Sequence, residues 1–116
     1  MNAPGNILAW ADFMKVEMRV GTIIAAEHFR EAINPSYKLT INFGEKGLLK
    51  SSAQITRLYT PEELVGRQVV AVINFPAKQI ANMKSECLVL GSIGEDPGEI
   101  TLLAPERKVK DGLRIG

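Results

Sequence analysis

The stretch Ser51-SAQITRLYTPEELVGRQVVAVINFPAKQIANMKSECLVL-Gly91 decides the fold. It reads as strand, short capped helix, strand, long loop, strand. Thr60 is placed as an N-cap, Pro61 suits the first helical position and Glu63 stands where a capping box needs it. Gly66 follows as the C-terminal glycine that stops the turn. This predicts a helix over Pro61–Val65. Gln68 to Asn74 and Cys87 to Leu90 are strand-like runs. Between them Phe75 to Glu86 carries Lys78 and Lys84 and shows neither a helical nor a strand period. Such a layout is the second half of a small five-stranded barrel with a helix between its third and fourth strands.

Upstream residues supply the first half. Met18 to Phe29 is a long strand candidate in which Gly21 is expected to permit a bend. Glu31 to Ser36, with Asn34-Pro35, makes the first connection. Tyr37, Leu39, Ile41 and Phe43 alternate with Lys38, Thr40 and Asn42, the cleanest period-two signal in the chain. Gly44-Glu45-Lys46-Gly47 is a hairpin turn and Leu48 to Ser52 the returning strand. The expected class is therefore all-β, a five-stranded OB-fold barrel over 18–91, and barrels of this kind bind oligonucleotides with one face and two loops.

Two extensions flank it. Residues 1–17 form an N-terminal arm and short helix, since Ile7, Leu8, Trp10, Phe13 and Met14 fall near helical spacing. Residues 92–116 form a C-terminal extension holding Ile100, Leu102, Leu103, Val109, Leu113 and Ile115. The interior of so small a barrel is filled by its own strands. The apolar residues of the extensions must then cover the barrel's outside or meet a second copy. A twofold homodimer through Trp10, Phe13, Met14, Val109 and Leu113 is the expected outcome.

Composition bounds the function. The chain has 116 residues, 46 % hydrophobic and 23 % charged, enough for one domain with a modest core. No apolar run approaches the ~20 residues of a membrane helix, so no membrane insertion is expected. The N-terminus lacks a basic region followed by an apolar core, and Cys87 is the only cysteine, so cytoplasmic residence is the expectation. With His28 the only histidine, neither a zinc site nor a Cys–His pair is expected within one chain. The acidic pair Glu62-Glu63 is accounted for by the helix start. No catalytic residue, no metal and no cofactor is expected. Fourteen basic against thirteen acidic residues leave a net charge of +1, too little for binding by phosphate neutralisation alone.

A family resemblance runs through these segments. Asn74-Phe75-Pro76, Lys78, Ile80 and Lys84-Ser85-Glu86, leading into Leu88-Val89-Leu90-Gly91, resemble the end of the tRNA-binding domain family. Arg19-Val20-Gly21-Thr22-Ile23 resembles its first strand. Ser51-Ser52-Ala53-Gln54-Ile55 is similar to its third-strand exit, in the form found in one branch, the CsaA-type secretion chaperones. The resemblance covers about Asp12 to the C-terminus, with two departures, Ala77 for a second proline and Asn82 for a glycine. Asn82 tolerates a left-handed backbone better than most residues.

The resemblance implies two ligand classes for one site. In the first, a structured RNA such as tRNA is read by Asn74, Ser85 and Glu86, with Ser51 and Ser52 nearby and Lys78 and Lys84 on phosphates. In the second, a protein-export chaperone holds precursor or unfolded polypeptides against Phe75, Ile80 and Met83, methionine suiting promiscuous apolar contact. The site is expected on the barrel face between the Glu31–Ser36 and Phe75–Lys84 loops.

Overall fold

The computed structural model describes residues 4–116. Its main sheet uses β1 (Met18–His28), β2 (Tyr37–Asn42), β3 (Leu48–Ala53), β4 (Gln68–Val72) and β7 (Leu88–Val89), in the spatial order β3-β2-β1-β4-β7, with every pair antiparallel. This is the nearly closed five-strand barrel expected from the sequence. The alternation in β2 is realised in full. Tyr37, Leu39, Ile41 and Phe43 are buried and join Ile23, Leu64, Val69 and Ala71 in the core, while Lys38, Thr40 and Asn42 are half-exposed.

Helix α2 (Pro61–Leu64) sits between β3 and β4 as expected, and Leu64 is its buried residue. The Thr60 hydroxyl accepts the backbone N–H of Glu63 at 3.4 Å, and Gly66 takes a φ of +94°. Gly66 and Arg67 then turn the chain onto β1 through Gly66 N–H to Ile23 C=O and Ile23 N–H to Arg67 C=O.

Gly21 has a different role from the expected bend. The break in register falls between Ile23 and Ala25, which leaves Ile24 as the extra residue. At Gly21 a Cβ would lie 2.6 Å from Ile41 Cγ2 and 2.7 Å from the Phe43 ring, so the absent side chain makes room for the core.

The segment between β4 and β7 also differs from the sequence reading. Lys78–Ile80 (β5) and Met83–Ser85 (β6) form an antiparallel hairpin. Its two-residue turn is Ala81-Asn82, and the left-handed residue is Ala81, at φ +49°, rather than Asn82. Three residues per strand are too few for alternation to register as a period.

Helix α1 (Trp10–Lys15) is shorter than the apolar stripe suggested and buries none of its residues. The C-terminal residues pack on their own barrel. β8 (Gly91–Ile93) pairs with β9 (Ile100–Leu102), whose Ile100 and Leu102 pack against the core, and β10 (Arg114–Ile115) pairs with the start of β1. Gln68 clamps the connecting segment, donating to Val109 C=O at 2.7 Å and accepting from Val109 N–H at 3.0 Å. The Thr22 hydroxyl reaches the Asp111 carboxylate at 2.6 Å. Among the described residues no helix is long and apolar enough to cross a membrane.

Candidate ligand groove

The barrel closes where β3 meets the chain between β6 and β7, and side chains carry most of the closure. Glu86 N–H donates to Lys50 C=O at 2.7 Å, and the Glu86 carboxylate accepts Lys50 N–H at 3.0 Å. The Ser51 hydroxyl donates to Cys87 C=O at 3.0 Å, and the Ser85 hydroxyl oxygen accepts Ser52 N–H at 3.1 Å. Three residues expected to face a ligand, Ser51, Ser85 and Glu86, are thus the stitches between two strands that lack a regular ladder. Burial pushes the adjacent Cys87 thiol up to about 12, with the Glu86 charge adding to the effect and the Ser51 hydrogen bond opposing it.

The β5–β6 hairpin stands beside this junction. Directly paired residues share a face, so Lys78, Ile80, Met83 and Ser85 lie on one side and Gln79 and Lys84 on the other. Below the first face runs a groove of about 560 Å³ lined by Ser52, Gln54, Phe75, Lys78, Ile80, Ser85, Glu86 and Leu88. A second cavity of about 470 Å³ lies between the hairpin and the Glu31–Ser36 loop and shares Ser52, Gln54, Lys78 and Ile80. The Asn82 amide reaches Glu31 across its mouth at 3.4 Å. A third, of about 350 Å³, continues past Ser52 and Gln54 to Ile55, Val89, Ile93 and Ile100. Ser52 and Gln54 are common to all three.

The lining is apolar and electrically balanced. Phe75 is 56 % and Leu88 49 % exposed. Among the described residues Lys78 is the one cation on these walls; Glu86 offsets it, and Glu31 is already paired with Lys38 at 4.0 Å. Among the described residues no cluster of His, Cys, Asp and Glu could hold a metal ion.

Of the ten residues expected at the ligand site, six meet here: Ser52, Phe75, Lys78, Ile80, Ser85 and Glu86. Ser51 and Met83 are buried beneath it. Lys84 lies on the hairpin's other face. Asn74 is elsewhere, its side-chain oxygen accepting Glu17 N–H at 3.0 Å and its amide donating to Lys15 C=O at 2.7 Å, so it fastens the end of α1 to the barrel. Sequence reasoning did not single out Gln54 and Leu88. The signal for Gln54 was available, because it continues the outward alternation of Ser52 one step beyond the strand.

The five residues expected at a subunit contact are less uniform. Trp10 is 72 % exposed and tilts against Phe13 at 5.5 Å between ring centroids; Met14 and Leu113 are also exposed, whereas Val109 is half-buried. Arg114 donates to Met14 C=O at 2.7 Å and so brings the two ends of the chain together. Near them Glu17 accepts from Arg19 at 3.0 Å, a bond that, with the charges of Lys46, Arg19 and Arg114, holds its carboxyl below the usual range against the effect of burial.

Comparison with known proteins places these features in context. The profile of the family described as "Putative tRNA binding domain" matches residues 18–114. Methionine–tRNA ligase 1 of Sorangium cellulosum is 36 % identical over 104 residues, and the methionine–tRNA ligase of Methanopyrus kandleri 35 % over 104. Each match takes in 90 % of this chain, but the chain spans only 14 % of the first ligase and 15 % of the second. Among solved structures, chaperone CsaA from Bacillus anthracis superposes with a TM-score of 0.90 at 45 % identity, covering 95 % of this chain and 99 % of that one. The CsaA chaperone protein from Picrophilus torridus gives 0.87 at 45 % identity, covering 95 % and 100 %.

Proposed function

The chain belongs to the putative tRNA-binding domain family, and from that premise we propose that it is a CsaA-like binding protein without catalytic activity, holding unfolded or precursor polypeptides in the groove between the β5–β6 hairpin and the exit of β3. One observation carries this reading: the groove sets two half-exposed apolar side chains, Phe75 and Leu88, beside Ile80, with a single lysine offset by Glu86. A polyanion gains little from such walls, whereas an unfolded segment has apolar side chains to place there and no net charge to neutralise. The likeness to chaperone structures supports the same direction. A chaperone of precursors awaiting export acts in the cytoplasm, where Cys87 stays a thiol.

The experiment is binding of a permanently unfolded, reduced and carboxymethylated polypeptide to Phe75→Ala and Lys78→Ala. Burying a Phe side chain is worth roughly 1.5–3 kcal/mol, so Phe75→Ala should weaken binding by roughly tenfold or more. Lys78→Ala should change it less than threefold. Equal binding by Phe75→Ala and the parent removes the proposal.

The family match favours one other reading, a tRNA-binding role on the same groove, with the exposed Phe75 ring as a stacking surface and Lys78 on a phosphate. On that reading Lys78→Ala reduces the salt slope of tRNA binding by about one. We also propose a twofold dimer through the exposed face of α1, Trp10 and Met14, together with Leu113, because that apolar surface is left uncovered within one chain.

A further inference from the structure

The groove contains unpaired backbone as well as apolar side chains. In the β2–β3 pair the residues of β3 alternate between bonding to β2 and facing the outer edge. Lys50 N–H and Ser52 N–H point to that outer edge, since they donate to Glu86 and Ser85. Continued one residue past the end of β3 at Ala53, the same alternation puts Ser52 C=O and Gln54 N–H on this edge, beyond the last stitch. Neither has a partner among the described residues. Across the gap, the end of β7 bonds to β4 through Leu90 N–H to Val70 C=O, which turns the Val89 main chain to the alternate side, toward the third cavity. The barrel is stitched at Lys50–Ser52 and open at Gln54.

Unpaired main-chain groups beside water cost nothing until something covers them, and the partner that satisfies a strand edge best is another extended backbone. Ala53 and Ile55 are buried, so the edge cannot rotate inward to satisfy itself. The near-neutral walls argue for a polypeptide over a nucleic-acid strand, which has phosphates where main-chain N–H and C=O groups would be needed.

We propose that an extended polypeptide segment binds as an added β-strand on the outer edge of β3, pairing with Ser52 C=O and Gln54 N–H. Phe75, Ile80 and Leu88 take its alternate side chains. The proposal rests on the polypeptide-binding reading and adds to it a mode. Main-chain bonds supply affinity that does not depend on sequence, and the apolar walls prefer segments with a hydrophobic residue at every second position.

The test modifies the peptide and leaves the protein intact. The probe is an acetylated, amidated decapeptide alternating valine with threonine and lysine, made also as a series with one peptide nitrogen methylated in each member. N-methylation removes a donor and obstructs pairing. Expected is a positional pattern: methylation of the nitrogen that donates to Ser52 C=O, or of a nitrogen two residues away that faces the same edge, weakens binding tenfold or more, and methylation of the intervening nitrogens, which point away from β3, less than threefold. In parallel the Gln54 amide should exchange with solvent at least tenfold more slowly when the unmodified peptide is bound. Loss of affinity without that pattern, together with an unchanged Gln54 exchange rate in a saturated complex, overturns strand addition while leaving the polypeptide reading standing. If the unmodified decapeptide and the unfolded polypeptide both fail to bind, the underlying reading falls and strand addition falls with it.

Discussion

Asn74 shows how a residue's chemistry can be legible while its task is not. The family resemblance implied a base reader, which its donor and acceptor suit, yet both are spent on Lys15 and Glu17 at the end of α1. Asn74→Ala should therefore cost about 1–2 kcal/mol of stability, the loss of two hydrogen bonds to backbone. Denaturant unfolding would measure this, with binding in the groove unchanged. Ala81 offers the opposite test. An L-residue in the left-handed region costs roughly 1–2 kcal/mol, so Ala81→Gly should stabilise by up to about 1 kcal/mol after the added chain entropy of glycine. A lower midpoint for that variant would show that Ala81 contributes packing instead. Cys87 titrates near 12 because it is buried, so native protein at pH 8 should react with a thiol reagent only as fast as the barrel opens. The raised value also means that the Cys87 contribution to stability is complete below the ordinary thiol range and is lost as pH rises toward 12.

At the scale of elements, what could be read from sequence was what is local. Thr60, Pro61 and Gly66 located α2 because caps act on adjacent backbone, and β2 declared itself because one face is buried throughout. The β5–β6 hairpin did not, since it lacks a glycine at its turn and is held by Met83 beneath it and by Ser85 bonding to Ser52, contacts remote in sequence. Likewise the stitching of β3 to Ser85, Glu86 and Cys87 spans more than thirty residues, and no pattern along the chain encodes it. The ion pair of Glu17 with Arg19 anchors the entry to β1, and its lowered carboxyl pKa has a definite sign. Its contribution is present at neutral pH and is lost as pH falls through the folded-state value, so Glu17→Gln should flatten the acid limb of a stability–pH curve. An unchanged acid limb would mean that the pair contributes nothing.

For the whole molecule, the barrel was legible in the sequence, whereas the walls of the candidate groove were legible only in part. Six of the residues expected at a ligand site converge on one groove because the third-strand exit and the hairpin meet at the open part of the barrel. Gln54 and Leu88 join them only once the barrel is closed. The face around Trp10 is uncovered within one chain, so Trp10→Ser should convert the proposed dimer into monomers by sedimentation at micromolar concentration, and a parent that is already monomeric there removes the dimer. Polypeptide and tRNA binding in the groove are separated by a salt titration of the unfolded polypeptide and of tRNA on the same protein. From about 50 to about 500 mM salt polypeptide affinity should hold steady or strengthen, because apolar burial is not screened. Polypeptide binding whose logarithm falls by several units for each tenfold rise in salt, with tRNA the tighter ligand at every point, would contradict the polypeptide reading.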